Sequence, residues 1–579
     1  MPIILGINLI DWLIICGYLL GITALGLFAI RRVHNSSSFF IGDRKFGKIM
    51  MIFFTFGAGT SSDHAIGVAA KAYQVGAPGI WYQWLWLFST PFYWLIAPLF
   101  RRMRAVTTAD YFVTRYSRSV GVLYTLVALL QLVVSIGVIL KGSGAVITAI
   151  SDGAVPPALS IWVIAVLFTV YGIAGGLNAA ILTDLVQGIL TIVLSFLILP
   201  FALHAVGGLT GLRATIADDA MFQMVSPSGS GITVFYVVVI SINALIGIVT
   251  GPATMALGGA GKTEMVGRVG QTFGSLLKRV CTIAWVLTGM CAISIYMGQD
   301  IDIDQVFGLM ARDLLPTIAP GLVGLFIASM LAAVMSSCDA CMVCSAGLFT
   351  DHIYRPFIRR DQSERHYTFV GRMSSGVVVI IGIFFAFELE NVVRGLEVFW
   401  MVQALMGIAF WMGLFWRRAT VAGAWVSTLL SFVVFLFTDK ITLFGNTLWD
   451  FNAALAHKLP GFMVTVQDGQ AALQLPWQMI VYLTTGFVSC LLVSLFTQPV
   501  SKQQLDGFYE CMRTPVRFKE KESKPFTLPE GVAPAERRVL LNNDNFEIPV
   551  PSVIAVTGFV GTWIIVGLLI AVFYWILQL

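Results

Sequence analysis

Charge is what this chain has least of: only 12% of its 579 residues are Asp, Glu, Lys or Arg, and histidine occurs six times. Soluble globular domains carry about 25% charged residues, so that class is excluded. Also missing are a phosphate-cradling glycine loop, a zinc-ligand spacing and a nucleophile–base triad, and the polar connections are too short to house a nucleotide-driven motor. The eight cysteines, Cys16, Cys281, Cys291, Cys338, Cys341, Cys344, Cys490 and Cys511, lie mostly inside apolar runs, where a small thiol is ordinary packing. No disulfide framework is inferred. Cys338, Cys341 and Cys344 spell C-x-x-C-x-x-C, but an iron–sulfur cluster needs a fourth thiolate and a wrapping loop, and these sit on a continuous apolar stretch. The first apolar run, Ile3 to Ile30, has no basic leader and no small-residue cleavage site, so a retained helix is expected.

What is present is apolar length. With 57% hydrophobic residues and a mean hydropathy of +0.84, the chain reads as an all-α polytopic membrane protein. Apolar stretches predict about fourteen transmembrane helices, near 5–30, 48–71, 79–100, 119–148, 156–174, 178–203, 232–256, 278–298, 318–349, 367–387, 392–416, 419–438, 476–497 and 552–577. Their connections alternate in charge. Arg101, Arg102, Arg104, Arg115, Arg118, Lys278-Arg279, Arg355, Arg417-Arg418 and Arg513 fall on one side, and Asp218-Asp219, Asp300, Asp302, Asp304 and Glu388 on the other. The positive-inside rule then puts both termini outside. The polar segment 501–551 is expected to be a cytoplasmic connection, a partly disordered linker rather than a domain.

Within the second apolar stretch the composition changes abruptly. Gly57, Gly59, Thr60, Ser61 and Ser62 are poor helix formers, and Asp63, His64 and Lys71 sit where a lipid-facing helix is apolar. An ionisable group inside a membrane costs at least about 2.5 kcal/mol, so these three should face protein, water or ligand. Thr250-Gly251-Pro252-Ala253-Thr254 interrupts another stretch five helices later. Interrupted helices in corresponding places mark a transporter binding site, and a five-helix spacing inverts the second copy. Repeats at 48–203 and 232–416 are therefore expected, joined by an external loop at 204–231. A helix and loop at 1–47, further helices and a loop at 417–500, and a last helix at 552–579 flank them.

Ala333, Ser336 and Ser337 share one helix face at i, i+3 and i+4. Two hydroxyls cannot hold a hard cation such as Na⁺ alone, but freed carbonyls of an interrupted helix, such as those of Gly57 and Thr60, supply the remaining oxygens. Small residues in this pattern also let helices pack closely. Asp184 and Asp339 are carboxylates inside apolar helices, and with Ser337 they define a second cation site. Trp81, Tyr82, Trp84 and Trp86 fit either an interfacial belt or a cage for a cation.

The segment Tyr171-Gly172-Ile173-Ala174-Gly175-Gly176-Leu177-Asn178-Ala179, continuing through Thr183-Asp184 to Gln187, resembles a signature of the sodium/solute symporters, which include the bacterial galactose, proline, pantothenate and sialic acid carriers. Thr107 to Phe112 with Arg115-Tyr116, Ala333 to Ser337 followed by Asp351-His352-Ile353-Tyr354, and Gly413 to Arg418 are similar to further motifs of that family. The resemblance spans about residues 40–430. It implies a five-plus-five inverted repeat with one extra N-terminal and about three extra C-terminal helices. It also implies a sodium site of the Gly57, Thr60 and Ala333 carbonyls with the Ser336 and Ser337 hydroxyls, and a sodium-handling role for Asp184 near the inner side.

The substrate positions differ from the sugar carrier: His64 and Gln83 stand where that carrier has glutamine and glutamate, Lys71 has no counterpart, and Pro252 falls where several members have proline. Ser62, Asp63, His64, Lys71, Gln83 and Pro252 are the expected solute contacts. The expectation is sodium-coupled symport, by alternating access, of a small organic solute into the cell, in a monomer spanning the plasma membrane many times and not an enzyme. Lys71 and His64 favour an anionic or zwitterionic solute. If Lys71 instead lies toward the outer mouth, the pocket is neutral and suits a sugar. A transporter-fold sensor without transport should carry a signalling domain near the C-terminus, and none is visible.

Overall fold

The polar stretch in the second apolar run is where the chain stops being helical. The computed structural model describes residues 2–30, 46–105, 107–227, 231–443, 446–467, 470–517, 520 and 524–579. In it, α1 (Leu9–Ile30) is followed by α2 (Lys48–Ala58) and α3 (Ser62–Val75), with Gly59, Thr60 and Ser61 between the last two. Ser61, extended at φ −106° and ψ 170°, is the N-cap of α3. It forms a capping box in which the His64 imidazole takes the place of the usual glutamate, Nδ1 accepting from the Ser61 amide at 3.1 Å.

After α4 (Arg118–Ile150) and α5 (Pro157–Phe196), α6 (Val234–Gly247) stops before Pro252 and α7 (Thr254–Gly259) resumes after it, since proline offers no amide hydrogen. The two interruptions expected from composition are both present. The side chains of 171 and 173–182, which hold most of the signature and the division expected between 174 and 178, lie outside what the structure describes.

Eight helices among the described residues are long and apolar enough to cross a membrane, accompanied by five shorter apolar ones. Helix occupies part of each of the fourteen stretches expected. One start is corrected: α8 (Glu264–Ile295) begins at Glu264, not near 278, and carries Lys278 and Arg279 buried within it rather than in a loop. Its first half is rich in glycine because it lies against α2. A Cβ on Gly270 would come within 2.6 Å of the Met51 Cβ, and one on Gly274 within 2.8 Å of the Thr55 Cβ. Higher up, a Cβ on Gly289 would meet the Ala69 carbonyl of α3 at 2.4 Å. Close backbone approach through small residues is how helices pack in a membrane. These contacts pin α8 along both halves of the broken helix and aim Lys278 at the gap.

α9 (Leu322–Phe349) crosses behind the gap and is almost wholly buried, Cys338 and Cys341 included, with Cys344 half-buried. α10 (Val392–Ala404) and α11 (Gly407–Phe415) follow. Arg115, counted by charge among the loop residues, is fully buried, and its guanidinium donates to the carbonyls of Gly413 and Trp416 at 2.7 and 2.9 Å, closing the C-terminus of α11. The segment after residue 500 also departs from a disordered linker. Its helix α12 (Lys502–Arg513) buries Leu505, Phe508, Tyr509 and Met512. Glu520 pairs with Arg104 at 2.6 Å, Glu547 with Arg417 at 2.7 Å, and the Val516 amide reaches Glu264 at 3.1 Å. Arginines that composition assigns to a membrane-facing charge bias thus hold this strap.

Candidate functional site

The break in the helix meets α9 face to face. Ala333, Ser336 and Ser337 are buried. The Ser337 hydroxyl lies 3.4 Å from the Gly57 carbonyl oxygen, and the Ser336 hydroxyl donates to the Asp184 carboxylate on α5. A Cβ on Gly57 would stand 2.8 Å from the Ser336 Oγ and 3.6 Å from the Asp184 Cγ, so only glycine allows this approach. Gly57, Asp184, Ser336 and Ser337 are thereby brought together, with Ala333 one turn earlier on the same face. Thr60 is fully buried, and its hydroxyl has no hydrogen-bond partner among the described residues. Asp339 is buried against Gly172, and its Oδ1 is likewise unpartnered. It makes no described bond to Asp184 or Ser337. No group of three or more His, Cys, Asp or Glu placed to hold a metal ion occurs among the described residues, so a hard cation here would be held by carbonyls, hydroxyls and one carboxylate.

Beside this cluster lies a cavity of about 200 Å³. The broken helix contributes Thr60, Ser61, Asp63 and His64 to its wall, and the second break contributes Gly251, Pro252 and Thr254. Trp86, Gln271, Lys278 and Arg279 close one side, and Leu396, Phe399 and Gln403 of α10 the other. Of the six expected solute contacts, Asp63, His64 and Pro252 line the cavity. Ser62 turns to the Ser143 hydroxyl at 2.8 Å. Gln83 is fully buried outside the cavity wall with an unpartnered amide, its carbonyl accepting from Arg279. Lys71 stands about 10 Å above His64, two turns along α3. Its ammonium lies over the Tyr82 ring, 5.2 Å from the centroid, and the Tyr82 hydroxyl donates to Glu397 at 2.6 Å.

Sequence reasoning missed the two strongest charges in the cavity. The Lys278 ammonium donates to the Gly59 carbonyl at 2.7 Å and lies 3.3 Å from the His64 Nδ1. Lys278 and Arg279 face the Trp86 ring at 5.6 and 5.8 Å. A dibasic pair reads as a helix end; the signal against that was the run of glycines at 267, 270 and 274, which continues a helical packing face before it. Trp81, Tyr82, Trp84 and Trp86 are buried, so they form no belt facing lipid headgroups. Trp84 donates to the Arg279 carbonyl at 3.0 Å. Away from the cavity, two of the sequence motifs meet: the Thr107 hydroxyl lies 2.7 Å from the His352 Nε2, and Asp110 3.5 Å from it.

Comparison with known proteins agrees with this architecture. Residues 39–431 match the family model described as Sodium:solute symporter family. The chain is 24% identical to the sodium/pantothenate symporter of Escherichia coli, covering 70% of this chain and 86% of that protein. It is 24% identical to the sodium/proline symporter of Haemophilus influenzae, covering 77% and 90%, and 24% identical to the sodium/glucose cotransporter of Vibrio parahaemolyticus, covering 76% and 86%. A solved Na⁺-coupled sialic acid symporter, in a substrate-bound outward-open state, superposes with a TM-score of 0.70 at 18% identity, over 85% of this chain and 99% of that one.

Proposed function

Because the chain belongs to the sodium:solute symporter family, we propose that it imports a small anionic or zwitterionic organic solute across the plasma membrane, driven by Na⁺ through alternating access. The observation that carries this reading is the meeting of Gly57, Asp184, Ser336 and Ser337 at the break, next to a cavity with polar and apolar walls. In this reading Na⁺ is held by the carbonyls of Gly57, Thr60 and Ala333 and the hydroxyls of Ser336 and Ser337. A bound ion offsets the cost of free carbonyls at membrane depth and ties α2 to α9. Repeats 48–203 and 232–416 then move as inverted partners around the two breaks, with both termini outside and the 501–551 strap in the cytoplasm. Asp184, Ser337 and Asp339 form a second cation site.

Sodium falling through about 100 mV supplies roughly 2.3 kcal/mol per charge, and a tenfold gradient adds roughly 1.4 kcal/mol. Together they sustain a roughly 500-fold accumulation of a neutral solute per ion. Purified protein in vesicles should accumulate solute when an inward sodium gradient is imposed. Equal uptake under potassium or proton gradients alone would reject the reading.

A further inference from the structure

The cavity contains more positive charge than its own residues balance. Among the described ionisable groups in its wall, Lys278 and Arg279 are cationic and Asp63 is the one carboxylate. Asp63 is already committed: it accepts from the Ser61 hydroxyl and sits in the first turn of α3, where the helix N-terminus favours negative charge. Its second oxygen lies 3.9 Å from His64. Neither Lys278 nor Arg279 makes an ion pair with any described carboxylate. Asp63 acts on Lys278 through space, so one carboxylate stands against two buried basic side chains, and an arriving anion offsets the cost of the second.

Three unsatisfied polar groups accompany them. The Thr60 hydroxyl, the Gln271 Oε1 and the Arg279 Nε have no hydrogen-bond partner among the described residues. Thr60, Gln271 and Arg279 are 0%, 1% and 3% exposed, and all three line the cavity. Ile248, Leu396, Phe399 and Trp86 supply apolar wall. A water needs about 10–15 Å³ of cavity space, so about 200 Å³ leaves room for a small organic solute.

We infer that Lys278 is the specificity residue of this cavity and that the transported solute is a small monocarboxylate. Its carboxylate meets the Lys278 ammonium, with Arg279 and Thr60 as further donors, and its apolar body rests on Leu396 and Phe399. The ammonium has three donors; the Gly59 carbonyl engages one, and the His64 ring, whose Nδ1 already accepts from the Ser61 amide, lies 3.3 Å away. A single negative charge neutralises the pair against Asp63; a second would be uncompensated, and an ammonium group would meet two cations. Lys71 takes no part. The inference rests on the symport reading for its site and deepens it with a solute class.

The test is thermal unfolding of the full chain in detergent with sodium present, titrated with propionate, lactate, benzoate, succinate, proline, glucose and choline. The monocarboxylates should raise the midpoint most. Lys278→Gln should weaken their apparent affinity at least tenfold, Lys278→Arg less than threefold, and the shift produced by sodium alone should survive in both, which certifies their folding. Lys71→Gln should leave the carboxylate affinity unchanged. Stabilisation chiefly by proline, glucose or choline, absence of any monocarboxylate effect, or full carboxylate affinity in Lys278→Gln overturns the inference. Sodium-driven uptake of a sugar would sink this inference and leave symport standing. Carboxylate binding with uptake indifferent to sodium would do the reverse.

Discussion

The Ser336 hydroxyl donates to the Asp184 carboxylate, while its neighbour Ser337 reaches the Gly57 carbonyl at 3.4 Å. Adjacent serines thus have separable duties, one tied to a buried charge and one to a freed carbonyl. Ser336→Ala removes a donor from a buried carboxylate and should cost about 1–3 kcal/mol of stability even without sodium. Ser337→Ala should leave sodium-free stability nearly unchanged. Both should raise the sodium concentration for half-maximal uptake at least tenfold. Unfolding midpoints with and without sodium, beside uptake titrations, check the contrast.

Gly57→Ala places a methyl 2.8 Å from the Ser336 Oγ. Overpacking of this kind costs about 1–3 kcal/mol, and here it pushes α2 away from the hydroxyls. Sodium-dependent uptake should fall more than tenfold, while membrane insertion and expression persist. Gly17→Ala, where nothing lies within 4 Å of the added Cβ, serves as the control and should behave as wild type.

The broken helices were legible because glycine, serine and proline inside an apolar run have no other economical explanation, and Gly57, Pro252, Ser336 and Ser337 lie where that reasoning put them. Asp184 was legible as a costly carboxylate. Lys278 and Arg279 were not, because a hydropathy window ends a helix at paired charges and cannot see that Gly270 and Gly274 continue the packing face against Met51 and Thr55. Lys71 misled for the converse reason. It shares the face of His64 by periodicity, yet stands two turns above it, beside Tyr82 and Glu397. The strap after residue 500 looked like linker because its composition is polar, and its partners, Arg104 and Arg417, stand 416 and 130 residues before Glu520 and Glu547 in the chain.

Asp304, in the connection between α8 and α9, accepts from the Val392 amide at 3.0 and 3.1 Å and is buried. Burial pushes its carboxyl up to about 7, well above the ordinary value near 4. The folded state therefore binds the proton more tightly than the unfolded chain. That contribution to stability is complete below about pH 4 and is lost as pH rises through about 7, amounting to a few kcal/mol. The unfolding midpoint in detergent should fall across that window, and Asp304→Asn should flatten it. An unchanged slope in the variant would assign the pH dependence elsewhere.

Arg104 and Glu520 are both nearly inaccessible at 2.6 Å, and breaking such a pair costs about 3 kcal/mol. Arg104→Gln should release the strap, raising the undocked population roughly a hundredfold and exposing 501–551 to limited proteolysis that spares α1 to α11. Burial raises the Glu520 carboxyl, but the Arg104 guanidinium, the Arg517 amide and Arg101 together outweigh it and the net shift is downward. Docking should therefore hold at neutral pH and weaken as pH falls below the ordinary carboxylate range. Wild-type cleavage should rise in that acid range alone, whereas the variant should be cut at neutral pH.

Asp339 has a different kind of debt. Its Oδ1 is buried with no partner among the described residues, yet it projects from the same helix as Ser336 and Ser337. An isolated carboxylate in the membrane costs at least about 2.5 kcal/mol, an expense that a cation would offset. If Asp184, Ser337 and Asp339 hold a second ion, the charge moved per solute should exceed that of a one-ion cycle. Asp339→Asn should lower it by one elementary charge and make uptake depend less steeply on sodium concentration, without abolishing transport. Recording transient currents in vesicles beside radiolabelled uptake measures that ratio directly. An unchanged ratio with an unchanged sodium dependence would leave Asp339 a packing residue against Gly172.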